Sequence, residues 1–216
     1  MAYHHGNLRQ ALVDEAVAAI AEHGADALSL RDLARRAGVS HAAPAHHFGD
    51  RAGLFTAIAA DGFARLADAL ERAVRAAAEH GPADGNGEER GEEHGAARGA
   101  GASAAVFAEA GVAYVRFATG EPGRFAVMFR PDLVHDDDPA LVEQRERAAA
   151  VLRAGAEAEP GDDRANALAA WSLVHGFATL WNAGAIVPPE GAGAEEVARA
   201  VAGRLFGEDG RIGRAR

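Results

Sequence analysis

The stretch SLRDLARRAGVSHAAPAHHF, residues 29–48, contains two short helical patterns joined by a Gly-Val-Ser turn. Ser29 is a good helix N-cap, and Asp32 follows three positions later as in a capping box. Gly38 is expected to end the first helix, and Ser40 can cap the second. Two short helices joined by such a turn are typical of a helix-turn-helix, whose second helix enters the major groove of DNA.

The composition of the second helix suits contact with DNA. Three small residues let its backbone approach the bases, and its histidines can donate hydrogen bonds to phosphates or base edges. A metal site is not expected there, because His46 and His47 are adjacent and His41 lies five positions before His46. Neither spacing puts two ligands on one helix face.

The longer stretch LSLRDLARRAGVSHAAPAHHFGDRAGLF, residues 28–55, resembles the DNA-binding segment of TetR-family transcriptional regulators. The resemblance is specific over about residues 7–63. The motif WSLVHG, residues 171–176, is similar to one C-terminal class of the same family. The resemblance implies an all-α homodimer that binds a palindromic operator on double-stranded DNA. It further implies a repressor that an unknown small-molecule effector releases from that operator.

The resemblance also implies roles for individual residues, with phosphate contacts on both helices and base-facing positions on the second. The candidate DNA-binding residues are Ser29, Arg31, Ser40, His41, Ala42, Ala43, Ala45, His46, His47 and Arg51. Two positions depart from the family pattern. An aromatic residue, often tyrosine, usually stands where this chain has Ala45, and Pro44 replaces a common leucine. We therefore expect unusual operator affinity or base preference.

The remaining chain is almost entirely helical in pattern, with alanine as the dominant residue. Helices are predicted over about residues 7–24, 29–38, 40–48, 50–79, 103–119, 122–129, 139–158, 162–182 and 194–206. The glycine-rich, acidic segment 81–101 predicts a mobile loop. The predicted domains are a DNA-binding domain over residues 1–49, with its motif at about 29–48, and a ligand-binding and dimerisation domain over residues 50–216.

Two further groups of apolar and aromatic residues are functional candidates in the larger domain. The ligand-pocket candidates are Phe107, Tyr114, Phe117, Phe125, Met128, Trp171 and His175. For His175 a hydrogen-bonded core position remains an open alternative. The dimer-interface candidates, on the last two helices, are Leu168, Leu173, Phe177, Val197, Val201 and Leu205.

Composition excludes several other functions. The 216 residues include no cysteine, which rules out thiolate metal sites and cysteine nucleophiles. No GxSxG, HExxH or phosphate-binding GxxxxGK[ST] motif is present, so neither an enzyme nor a bound cofactor is expected. The start of the chain is polar and no apolar run is long enough to cross a membrane, which predicts a cytoplasmic protein without a membrane partner.

The net charge of −10 leaves a second interpretation open. An acidic chain with Ala45 in place of the usual aromatic could be a helical small-molecule-binding protein with weakened DNA binding. Against this, residues 31–51 carry four arginines and only two acids, so the motif itself is locally basic. A helical enzyme is a third, less supported alternative.

Overall fold

A computed structural model describes residues 8–79, 92–156 and 163–206, apart from the side chains at a few helix ends. All regular secondary structure in these ranges is helical, which confirms the predicted all-α class. The α-helices are α1 (Leu8–His23), α2 (Leu30–Arg36), α3 (Ala43–Phe48), α4 (Arg51–Glu79), α5 (Glu92–Gly120), α6 (Pro122–Met128), α7 (Pro139–Ala156), α8 (Asp163–Asn182) and α9 (Ala194–Phe206), with a 3-10 turn at Ala25–Ala27.

The start of α3 differs from the prediction. The helix begins at Ala43, and Ser40 does not cap it: Ala42 occupies the N-cap position without a side-chain hydrogen bond. The reason is Pro44, which has no backbone N–H and is best tolerated in the first turn of a helix. A helix capped by Ser40 would place Pro44 where the carbonyl of Ser40 needs a donor. Instead the N–H of Ala43 donates to that carbonyl at 3.0 Å.

The start of α5 also differs from the prediction. Residues 92–101, which were predicted as part of a mobile loop, belong to this helix. Glycine costs about 1 kcal/mol in a helix interior, but extending a helix that already exists is much cheaper than nucleating one. Residues 81–91 of the predicted loop, like the predicted cap Asn7, lie outside the described residues.

The chain divides into two compact units. The first comprises residues 1–65 and 121–147, and the second comprises residues 66–120 and 148–216. The first packing unit is therefore larger than the DNA-binding domain predicted for residues 1–49, because it includes the first part of α4 and because α6 packs with α1. The predicted domain boundary concerns function and stays a prediction.

Each unit has its own apolar core. In the first, α1 packs against α2, α3 and α6, and the buried side chains include Leu12, Leu33 and Phe55. In the second, α5 packs against α8 and α9. No helix in the described ranges has the length and apolar character needed to cross a membrane.

Candidate DNA interface and ligand pocket

The two helices of the candidate DNA-binding motif are held by local hydrogen bonds that the sequence predicted. The Ser29 hydroxyl accepts a hydrogen bond from the N–H of Asp32 at 3.1 Å, which confirms the predicted cap of α2. Gly38 ends this helix with φ 66°, and the N–H of Val39 donates to the carbonyl of Ala34 at 3.0 Å. This is a Schellman ending, in which glycine avoids the strain that a side chain would suffer at positive φ.

Arg36 fastens the motif to α1. Its Nε donates to Glu15 at 2.7 Å and its Nη2 to Glu22 at 3.2 Å, and both contacts raise the pKa of the guanidinium. Arg35 pairs with Asp32 on its own helix at 2.6 Å. Two of the four arginines that make the motif locally basic are thus engaged with carboxylates.

Three of the four residues predicted to face the bases, His41, Ala42 and His46, are exposed, whereas Ala43 is half-buried. We call the exposed surface formed by His41, Ala42, Ala45 and His46 the recognition face. Among the remaining candidates, Ser29, Arg31 and Ser40 are exposed, and His47 is half-buried. Pro44 points the opposite way and is buried. Exposure on the side away from the core is what contact with a DNA groove requires.

Arg51 is turned inward. Its Nη2 donates to the carbonyl of Ala25 at 2.8 Å, and its guanidinium carbon lies 4.8 Å from the centre of the Phe55 ring. Its Nε is buried without a hydrogen-bond partner in the described part of the chain. In this conformation Arg51 joins α4 to the 3-10 turn, and its predicted phosphate contact stays a prediction.

His135, in the segment after α6, contacts the start of α4, and the sequence analysis did not identify this residue. The Nε2 of His135 lies 3.3 Å from Oδ1 of Asp50, and the His135 N–H donates to the Thr56 hydroxyl at 2.8 Å. The N–H of Gly53 donates to the same Asp50 oxygen at 2.7 Å. The Gly53 hydrogen bond lowers the pKa of Asp50, and His135 adds to this effect. Because 85 residues separate His135 from Asp50, no local pattern could have indicated the pair.

A small cavity of about 30 Å³ lies in the second unit between α5, α7, α8 and α9, and its lining is almost wholly apolar. Of the predicted pocket residues, only Phe107 lines it. Three of the predicted dimer-interface residues line it instead. The lining residues are Phe107, Ala108, Gly111, Val115, Leu152, Ala170, Leu173, Val174, Phe177, Ala198 and Val201.

The other pocket candidates lie elsewhere. Phe125 and Met128 are buried in α6, within the first unit, so they do not line this cavity. Phe117 is buried on α5 and is likewise not part of the lining. The sequence placed these residues together because all are large and apolar, a property that core and pocket residues share.

Tyr114, Trp171 and His175 form a hydrogen-bonded cluster. The Tyr114 hydroxyl lies 2.9 Å from Nδ1 of His175, and the Trp171 ring centre lies 5.1 Å from that of His175. Burial raises the pKa of Tyr114, against an opposing hydrogen bond from Trp171, and burial lowers the pKa of His175. His175 is hydrogen-bonded but half-buried, so both interpretations of this residue stay predictions.

The predicted dimer interface is partly exposed in the single chain. Leu168 on α8 is 58% exposed, and Leu180 on the same helix is 52% exposed. Val197 on α9 is half-buried, and the side chain of Leu205 lies outside the described residues. The interface itself stays a prediction. Within the described ranges, no three histidine or acidic side chains are grouped as a metal site requires.

Two family profiles match the chain. Residues 12–58 match the profile described as bacterial regulatory proteins of the tetR family. Residues 107–205 match the profile described as a tetracyclin repressor-like C-terminal domain. The two matched ranges together make up about two thirds of the chain, and each coincides with one of the functional regions described above.

The chain is also similar to curated proteins and solved structures. It is 39% identical over 64 residues to the HTH-type transcriptional repressor AcnR of Corynebacterium glutamicum, a match covering 30% of this chain and 34% of that protein. The chain thus spans about a third of the length of the curated relatives it matches. A structure of a protein of unknown function from Rhodococcus sp. RHA1 is 34% identical, with a TM-score of 0.69 and coverage of 94% of this chain and 96% of that one.

The TetR family transcriptional regulator PfmR from Thermus thermophilus has the same fold, with a TM-score of 0.66 at 22% identity over 96% of this chain and 97% of that one. The N-terminal and C-terminal matches name the same family, and the arrangement of helices agrees with both. The chain belongs to the TetR family of bacterial regulatory proteins.

Proposed function

We propose that this chain is a ligand-responsive, DNA-binding transcriptional regulator that represses by binding a near-palindromic operator as a homodimer. The observation that carries the proposal is the recognition face: the turn before α3 exposes His41 and Ala42, and α3 itself exposes Ala45 and His46 while burying Pro44. In a dimer, two such helices would enter successive major grooves. Such a regulator would act in the cytoplasm, where it meets DNA.

The family consists of transcriptional regulators and not of enzymes, so the enzyme alternative is dropped. Selection of bound fragments from a random duplex pool at about 0.1 M salt tests the proposal. Enrichment of a palindrome with half-sites about one helical turn apart would support a dimeric DNA reader. No enrichment by a folded, dimeric chain would favour the small-molecule-binding alternative, which Ala45 and the net charge of −10 motivate.

The effector would bind in the second unit. The apolar lining of the cavity between α5, α7, α8 and α9 suits an uncharged, apolar group. At about 30 Å³ the cavity is far smaller than a typical ligand site of roughly 300 Å³ or more. Binding would therefore require these helices to move apart. Helix α4 belongs to the first unit up to Arg65 and to the second from Leu66 onward, so it is the continuous element through which such a change would reach the DNA-binding helices.

Ala45 offers a test of the departure from the family pattern. Because this position is exposed, a tyrosine fits there without displacing core residues. We expect Ala45→Tyr to tighten binding to the selected duplex by about tenfold, since a phenol adds contact area and a hydrogen-bond donor toward the DNA backbone. The same measurement with Ala45→Phe separates the hydroxyl from the ring. Weaker binding by both variants would show that the small side chain is required.

A further inference from the structure

Helix α6 has a glycine at its contact with α1, and α4 has a glycine where the Met128 side chain of α6 packs against it. A Cβ atom added at Gly123 would lie 2.3 Å from the backbone oxygen of Val17 on α1. A Cβ atom added at Gly62 on α4 would lie 2.6 Å from the sulfur of Met128 on α6. Real Cβ atoms do not approach other atoms so closely. Gly123 therefore lets α6 lie directly on the backbone of α1, and Gly62 makes room on α4 for the side chain of Met128.

Arg124 is the one charged side chain of α6, and it is only 6% exposed. Each of its three guanidinium nitrogens binds a carboxylate on a different segment. Its Nε donates to Asp61 of α4 at 2.8 Å, its Nη1 to Glu121 at 2.6 Å, and its Nη2 to Asp14 of α1 at 3.1 Å. We call this group the Arg124 cluster.

Other groups complete the surroundings of the cluster. Arg65 of α4 binds Asp61 at 2.9 Å and lies 3.8 Å from Glu121. The Gln10 amide donates to Asp14 at 3.0 Å. Three carboxylates thus face two guanidinium groups, of which Arg124 is the buried one. Removing its charge would leave the three carboxylates close together with only Arg65 to neutralise them.

The cluster is connected to the recognition face through α1. Asp14 binds Arg124, while the next residue, Glu15, binds Arg36 of α2 at 2.7 Å. The Schellman ending of α2 then leads directly into the turn before α3. The position of α1 relative to α4 therefore determines the orientation of α3. Two nitrogens of Arg124 join α1 to α4.

We propose that Arg124 is a positioning residue for DNA binding, which joins α6 to α1 and α4 so that the recognition helix is held at a defined angle. Nothing in the sequence motif assigns it this role, since it lies 76 residues beyond the end of α3. The inference rests on the proposed function, because its effect on α3 matters only if α3 reads DNA.

The test compares the affinities of the full chain, Arg124→Met and Arg124→Lys for the selected duplex at constant pH and salt. We expect Arg124→Met to bind about tenfold more weakly than wild type. Arg124→Lys keeps the charge but not the three-way geometry, so its affinity should fall between those of Arg124→Met and wild type.

A packing role for the side chain would give no rescue by lysine, and that result would overturn the proposal. Asp14→Asn provides a milder variant if Arg124→Met does not fold. It should weaken DNA binding by about threefold through the same contact to α1, and unchanged binding would count against the proposal.

Hydrogen exchange of the amides of α1 and α6 separates this inference from the proposed function. Both helices should exchange faster in Arg124→Met than in wild type, whether or not DNA is bound. If the wild-type chain binds no duplex, the proposed function fails and the DNA role of Arg124 fails with it, whereas faster exchange would still show the structural contact. If DNA binds normally but neither exchange nor affinity changes in the variant, only the inference about Arg124 is overturned.

Discussion

Replacing Gly123 by alanine is expected to lower the free energy of unfolding of the first unit by about 2 kcal/mol. The new Cβ would lie 2.3 Å from the Val17 backbone oxygen, and its carbonyl carbon and one side-chain methyl lie at 3.1 Å. A backbone atom in the middle of α1 cannot rotate away, so α6 must move outward. The better helix propensity of alanine offsets only about 1 kcal/mol of the resulting loss in packing.

Gly62→Ala is the matched control. It is the same substitution in the same unit, but the clash is with the sulfur and Cγ of Met128, at the flexible end of a side chain. Methionine has three rotatable bonds and can repack, so we expect a change below about 1 kcal/mol. Urea unfolding followed by circular dichroism gives both values. Both tryptophans of the chain, Trp171 and Trp181, lie in the second unit, so their fluorescence follows the unfolding of that unit.

Equal stabilities for Gly123→Ala and wild type would contradict the close contact between α6 and α1. Equal losses for the two alanine variants would contradict the distinction between a rigid backbone and a movable side chain. A large loss at Gly123 alone would establish that α6 is part of the DNA-binding unit and not merely the next element along the chain.

The features predicted correctly from the sequence are those encoded by neighbouring residues. The cap of Ser29 on Asp32 and the helix end at Gly38 depend on contacts within a few positions, and both are present. The bounds predicted for α9, residues 194–206, agree with the structure because the periodic pattern of that helix is uninterrupted. The start of α3 was misplaced because the prediction gave Ser40 more weight than the missing N–H of Pro44.

The features that could not be predicted depend on contacts between residues that are far apart in the sequence. Arg124 meets Asp14 across 110 residues and Asp61 across 63, so no sequence spacing relates them. Arg51 has the sequence context of a phosphate ligand, yet the carbonyl of Ala25, 26 positions earlier, accepts its hydrogen bond. The sequence around an arginine at a helix end does not show whether its partner is DNA or the protein itself. Only the fold determines which partner it binds.

Replacing Ala42 by glutamate is expected to weaken DNA binding by at least about a hundredfold while leaving the fold intact. Ala42 is exposed at the N-cap position of α3, on the recognition face. A carboxylate there would be brought next to phosphates and base-edge acceptors, and its repulsion is poorly screened inside a groove. The fold should tolerate the change, because a negative charge near a helix N-terminus is favourable.

Ala150→Glu controls for the added charge. It is the same substitution at an exposed alanine of α7, in the second unit. Both variants have the same net charge, so a general electrostatic effect would weaken DNA binding equally in both. We expect the affinity of Ala150→Glu to stay within about threefold of wild type. Anisotropy titrations with the selected duplex, together with thermal unfolding of each variant, measure both quantities. Full DNA binding by a folded Ala42→Glu chain would show that α3 does not enter the groove, and the recognition surface would then have to lie elsewhere on the first unit.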